Sequence, residues 1–467
     1  MIKHVFRGAL SHCVRHPSKT EHSCVELIAN GLVAVDESGK IAALCRTEEE
    51  AEQWLASHQD VPIQQLEAGQ LLLPGFVDTH THAPQFAFTG TGQGIPLLKW
   101  LDTVTFPMES RFDDVDFANH VYDKCVRRLL KNGTTTATYF ATLHTEASLV
   151  LARICSQLGQ RAYVGRVSMD RNSPDYYVEE QAAAASEEEA FVRRCLQLNN
   201  ESEHIDNSLV QPIVTPRFVP TCSSELMHKL GEIAEKYNLL VQSHISEQLE
   251  EIDFVRDLHP DCDGYAEVYR RHGLLNSRTV QAHAIYLTPE EVELFRNERI
   301  GIAHCPSSNF AIQSGTFNSA DALDADLKVG LGTDVAGGYS PSMLDAMRQA
   351  LIASSAVHTQ RMVQERRGQH DDHVLRQGRQ LDWSEALWLA TMGGAEVLNR
   401  NDIGNFEVGK LFDAMIVDFQ PENGPLDIFE HDSLQDRLQK FIFNGDDRNI
   451  AKVFVQGNLV VPFAAGK

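Results

Sequence analysis

The apolar positions of this chain change rhythm twice. Over the first 70 or so residues, short apolar runs at 26–29 and 32–35 are followed by a turn at Glu37-Ser38-Gly39-Lys40 and a further run at 41–44. This pattern predicts a small β unit, interrupted by a helix over 47–58. From Leu71 onward, buried-type strands alternate with amphipathic helical patterns. Strands are expected at 71–82, 134–140, 161–169, 210–218, 239–246, 279–287, 300–306 and 328–334. Helices are expected between them, for example over 117–130, 146–158, 224–237 and 289–296. The last opens on Thr288-Pro289-Glu290-Glu291, a capping box with Pro at the first helical position. Ser186-Glu187-Glu188-Glu189 reads as a solvated helix start.

Eight strands, each followed by a helix over about 270 residues, is the count of a TIM-type (β/α)8 barrel. An open doubly wound sheet shares the local pattern, and strand number favours the barrel. After a helical stretch over 383–398, strands return at 413–417 and 452–456, with a hairpin at Gln456-Gly457-Asn458. The expected fold is therefore α/β. A barrel over 71–400 is flanked by a small β-sandwich domain built from 1–70 and 401–467.

Composition narrows the partners. A formal charge of -24 argues against a nucleic-acid backbone or an anionic membrane surface. Nine cysteines without a Cys-x-x-Cys pair suit reduced thiols. The N-terminus lacks the apolar core of a signal peptide, and no run approaches the length of a membrane span. A cytoplasmic protein is expected.

Barrel chemistry sits at the C-terminal ends of the strands. The first expected strand ends in Asp78-Thr79-His80-Thr81-His82, whose two imidazoles point to one side of an extended segment. The fifth ends in His244, with Glu247 three residues on; the sixth ends in His283 and the eighth in Asp334. His80, His82, His244 and Asp334 make a ligand set suited to Zn2+, with Fe2+ as second choice. Zinc lowers the pKa of a bound water to about 7. Glu247 is the expected general acid/base, and His283 the orienting or electrophilic group. Asp334 is also a candidate acceptor for the water's proton. His304-Cys305 is expected to pack rather than to ligate, and Gly90-Thr91-Gly92-Gln93-Gly94 reads as a flexible loop. Residues 88–97 are the expected lid.

Longer strings carry a family resemblance. Pro74-Gly75-Phe76-Val77-Asp78-Thr79-His80-Thr81-His82, Gln242-Ser243-His244-Ile245-Ser246-Glu247, Ala282-His283, Ala303-His304-Cys305-Pro306 and Gly332-Thr333-Asp334 resemble the amidohydrolase superfamily, in order. His82-Ala83-Pro84-Gln85-Phe86, Leu97-Leu98-Lys99-Trp100-Leu101, Thr105-Phe106-Pro107 and Thr215-Pro216-Arg217-Phe218 are similar, more narrowly, to the guanine deaminase family. Pro84 departs from that family's usual Ser.

The resemblance implies zinc-dependent hydrolysis of guanine to xanthine and ammonia, with one metal per subunit and a homodimer. It implies zinc on His80, His82, His244 and Asp334, with Glu247, His283 and Asp334 catalytic. It also implies substrate contacts from His82, Ala83, Pro84, Gln85, Arg217 and Phe218, and from His244, Ile245, Ser246, Glu247 and Asp334. The fourth strand end carries no lysine for a carboxylated bridge, which points to a single metal. Alternatives are another hydrolase of amino- or chloro-heterocycles, such as pterins or triazines, and a metal-free scaffold.

Overall fold

The computed structural model of the chain describes residues 1–17, 23–198, 209–369 and 373–464. The strands near its two ends meet in one mixed sheet of eight. The N-terminal members are β1 (Ile2–Cys13), β2 (Val25–Asp36), β3 (Ile41–Cys45), β4 (Ile63–Gln65) and β5 (Gln70–Pro74). Next come β6 (Phe76–His82), β7 (Thr134–Phe140), β8 (Arg161–Gly165), β9 (Val167–Ser168) and β10 (Val210–Pro212). They are followed by β11 (Thr215–Pro216), β12 (Val241–Ile245), β13 (Thr279–His283), β14 (Gly301–His304) and β15 (Lys328–Leu331). The mixed sheet is completed by β16 (Ala414–Asp418), β17 (Ile450–Val455) and β18 (Asn458–Val461).

The order in the mixed sheet is β18-β17-β16-β5-β1-β2-β3, with β4 beside β1. Alternation along these strands gives the sheet two apolar faces. Phe6, Val33, Leu72, Phe412, Ile416 and Phe454 form one cluster, in which the rings of Phe6 and Phe412 stack at 4.9 Å. Leu71, Leu73, Met415, Val417 and Val453 turn the other way, into the main core.

The strands from β6 to β15 pair in parallel in three sheets, β10-β8-β7-β6, β11-β9 and β12-β13-β14-β15. Backbone bonds cross between the sheets. Gln242 N donates to Val214 O at 2.9 Å, and Asp334 N to His80 O at 2.9 Å. Amphipathic helices lie between the strands. The helix Val115–Lys131, capped by Asp114, buries Ala118, Val121, Tyr122, Cys125, Val126, Leu129 and Leu130, one stripe at helical spacing. The capping box at Thr288 and Glu291 is formed as expected.

Several expected elements differ: the strand expected over 161–169 is two, Arg161–Gly165 and Val167–Ser168, and the one expected over 279–287 ends at His283. The run expected over 71–82 is two strands, because the chain changes sheets at Gly75. A Cβ there would lie 2.2 Å from the Thr135 side chain, so only glycine passes this point. The strand expected over 210–218 breaks between Pro212 and Thr215. The strand expected to reach Asp334 stops at Leu331, and Asp334 turns left-handed at φ 45°. Glu188 is not solvated. It is fully buried, 3.8 Å from Arg166, and burial pushes its carboxyl up to about 8.

One buried ion pair joins the mixed sheet to the parallel strands. Arg161 donates from Nε and Nη2 to both oxygens of Asp413, each at 3.2 Å, and Gln456 N adds a bond to Asp413 Oδ1 at 2.7 Å. Asp413→Ala would leave the guanidinium buried and unpaired. We expect a loss of about 3–5 kcal/mol in urea unfolding. The double variant Arg161→Met/Asp413→Leu should recover most of it.

Candidate metal centre and substrate pocket

The strand ends deliver the expected imidazoles to one point. His80 and His82 sit two apart on β6 and face the same way. Asp334 Oδ1 lies 3.3 Å from His80 Nε2 and 3.5 Å from His82 Nε2. His82 Nε2 lies 3.2 Å from His244 Nε2. The ligating atoms of His80, His82 and Asp334 fall within 4.8 Å of one another, and so do those of His80, His244 and His283.

Hydrogen bonding sets which nitrogen is free. His244 Nδ1 donates to Arg217 O at 2.6 Å, which leaves the lone pair on Nε2 facing inward. His80 Nε2 is buried and has no aligned hydrogen-bond partner. Burial, then the neighbouring His80, holds the His82 and His244 imidazoles well below their ordinary pKa. Imidazoles crowded around one carboxylate are what a cation would resolve, and this N/O donor set fits a single divalent transition metal.

Two carboxyls face this centre with opposite character. Burial pushes Asp334 up, but His80 and His283 outweigh it and hold the carboxyl at about 2. Burial, then Asp334, pushes Glu247 up to about 8. Glu247 Oε1 accepts from Ser314 Oγ at 3.0 Å. His283 stands between the two carboxyls, its Nε2 3.4 Å from Glu247 Oε2 and 3.8 Å from Asp334 Oδ2. Its Nδ1 pairs with Asn309 Oδ1 at 2.9 Å. Three of these strand-end residues are left-handed: Ser246 at φ 49°, His283 at 70° and Asp334 at 45°. Such strain gathers where the surroundings over-determine a conformation. Cys305 Sγ lies near His283 and Asp334, but its thiol is pushed well up by burial, and donates to Ala303 O.

Beside the cluster is a cavity of about 350 Å³, part of it open to solvent. His82, His244, Glu247 and Asp334 line it on the cluster side, and Gln85, Arg217 and Phe218 line it too. The apolar wall is Leu97, Trp100, Leu101 and Ile312. Leu97 is the residue of the expected lid over 88–97 that lines this cavity. Of the expected contacts, Ala83, Pro84, Ile245 and Ser246 are buried but do not line this cavity. Ala83 and Ile245 belong to the main core instead.

Sequence reasoning missed Glu109. Its carboxylate pairs with Arg217 and accepts from Gln85 and Tyr177. The available signal was one acid in the apolar turn Thr105-Phe106-Pro107-Met108-Glu109.

Residues 71–460 match the amidohydrolase family. The chain is 42% identical to the guanine deaminase of Dictyostelium discoideum over 98% of both chains. It is 42% identical to that of Homo sapiens, over 99% of this chain and 98% of the other. Among solved structures, guanine deaminase from C. acetobutylicum holds bound guanine in its active site. It superposes with a TM-score of 0.84 at 33% identity, covering 98% of this chain and 100% of that one. The chain belongs to the amidohydrolase family and, within it, to the guanine deaminases.

Proposed function

We propose that this protein hydrolyses guanine to xanthine and ammonia. The observation that carries the reading is the meeting of the His80, His82, His244 and Asp334 cluster with Arg217 and Glu247 around one cavity. The identity to guanine deaminases over nearly the whole chain supports it.

His80, His82, His244 and Asp334 would hold one Zn2+. When bound, the metal supplies an acidified water near neutral pH. Everything else falls to the chain. Arg217 keeps free N–H groups that would donate to the carbonyl oxygen of guanine, and Gln85 would meet the purine edge. Phe218 and Trp100 wall the base. Asp334, ionised at neutral pH, would take the water's proton. Glu247, protonated near neutrality, would deliver its proton to the ring nitrogen beside the amino-bearing carbon. The proton taken up by Asp334 would pass to the amino group as it leaves as ammonia, and Glu247 would recover a proton from the new hydroxyl as it becomes the carbonyl. His283 holds its place between the two carboxyls, oriented by Asn309.

The same reading extends to architecture. The three parallel sheets are taken as arcs of one (β/α)8 barrel, supported by the bonds from Gln242 to Val214 and from Asp334 to His80. The mixed sheet, with its own apolar cluster, is taken as the flanking small sandwich domain. Homodimerisation is supported by an exposed apolar groove with Ile352, Val363 and Phe443 in its lining. Nine free thiols support a cytoplasmic location. No helix among the described residues is long and apolar enough to cross a membrane.

Purified, zinc-loaded protein should convert guanine to xanthine with release of ammonia; absence of turnover would overturn the reading. Dialysis against a chelator should abolish activity, and zinc should restore it, with about one metal per chain by elemental analysis. Glu247→Gln should retain its metal while kcat falls on the order of 10²–10⁴-fold. A parallel loss of metal would make Glu247 a ligand instead.

A further inference from the structure

Glu109 is a fully buried carboxylate that the proposed reaction leaves without a role. Four hydrogen bonds converge on it. Oε1 accepts from Gln85 Nε2 at 2.9 Å and from Arg217 Nη2 at 3.2 Å. Oε2 accepts from Arg217 Nη1 at 2.6 Å and from Tyr177 OH at 2.8 Å. Phe106, on the same short turn, lies 5.1 Å from the guanidinium carbon. One turn of chain therefore supplies both the carboxylate and the ring that clamp Arg217.

The pairing decides what the cavity offers. Bidentate contact uses two of the five guanidinium N–H groups and leaves three. Gln85 is fixed as well, since its Nε2 donates to Glu109 while its Oε1 accepts from Ala336 N at 3.1 Å. Arg217 and Gln85 both line the cavity; Glu109 does not. Its buried carboxylate cancels the charge of the buried guanidinium. A bare buried cation would instead favour an anionic ligand.

We propose that Glu109 is a positioning residue for substrate selection: it sets Arg217 and Gln85 for a neutral oxopurine and screens the guanidinium charge against anionic ones. The inference rests on the reading of this cavity as the guanine pocket. It has a chemical consequence. Deamination turns guanine into a more acidic, imide-like product, so a charge-cancelled pocket would also release that product when it ionises.

The test uses the full-length, zinc-loaded protein. Guanine kinetics are measured for the wild type, Glu109→Gln and Tyr177→Phe. Calorimetry gives the binding of hypoxanthine, a neutral oxopurine, and of urate, an anionic one. Glu109→Gln should lower kcat/KM for guanine by about tenfold or more, while urate binding tightens about tenfold relative to hypoxanthine, with zinc content unchanged. Opposite movement of the two is the signature of charge screening. If guanine, hypoxanthine and urate all weaken alike, or only thermal stability falls, Glu109 is a structural ion pair and the proposal fails. Tyr177→Phe keeps both charges paired, so it remains informative if Glu109→Gln does not fold. It should raise KM for guanine about threefold with kcat within about twofold, and an unchanged KM overturns the proposal. Lack of guanine turnover by the wild type is a separate outcome that removes the reading of the pocket itself.

Discussion

Asp78 ties the first parallel strand to the segment that follows the last. Its oxygens accept from Thr333 N at 3.0 Å and Thr333 Oγ1 at 2.6 Å, across 255 residues of sequence. Asp334 N then bonds to His80 O, and His82 N to Val335 O, so Asp334 arrives directly beside the two imidazoles. Burial pushes the Asp78 carboxyl up to about 6, and the bonds from Thr333 and His80 work against that. Gly332 lets the strands close, since a Cβ there would lie 2.8 Å from His80 Cβ and 2.9 Å from Cys305 Sγ. The candidate ligand cluster depends on this seam more than on any single member. A shift of one residue along it would move Asp334 away from the His80 and His82 rings.

Arg217 links the metal centre to the pocket. Its carbonyl accepts the Nδ1 proton of His244 and so fixes that ligand's tautomer. Its side chain, clamped by Glu109 and Phe106, faces the cavity. A movement of the Arg217 backbone would disturb the His244 imidazole and the Arg217 side chain together. Leu97, Trp100 and Leu101 line the same cavity. The turn that clamps Arg217 follows within a few residues on the same stretch of chain.

What could be read in the sequence follows the range of each interaction. The His-x-His pair, the helix stripe at Ala118 to Leu130 and the capping box at Thr288 are local patterns, and each appears where expected. The strand-end rule brought His80, His82, His244, His283, Glu247 and Asp334 to one list, and the structure brings them to one place. The break at Gly75 was hidden because both halves are equally apolar; periodicity does not report which sheet a strand joins. Ile245 and Ala83 entered the expected contacts because they adjoin functional residues in a string. Their side chains point into the core instead. Glu109 was hidden for a different reason. Its partner Arg217 is 108 residues away, and the turn that carries it has no period to mark it.

The two carboxyls at the centre show how one cavity keeps an acid and a base side by side. Asp334 and Glu247 are both buried, so burial alone cannot separate them. The difference lies in what each faces. Asp334 faces His80, His82 and His283 and stays ionised. Glu247 shares His283 with it but faces a serine hydroxyl and the charge of Asp334, and burial followed by that charge pushes its carboxyl up to about 8. Behind it, Glu251 accepts from the backbone N–H groups of Glu247 and Gln248 and from Tyr265, and is pushed up to about 7 by burial and then Glu247. Both carboxyls beyond Asp334, at about 8 and about 7, hold their protons more readily than it does. The ionised member is therefore fixed next to the imidazoles and the protonated member one step away. Exchanging their roles would require moving the histidines, because neighbours rather than depth decide which carboxyl holds the proton.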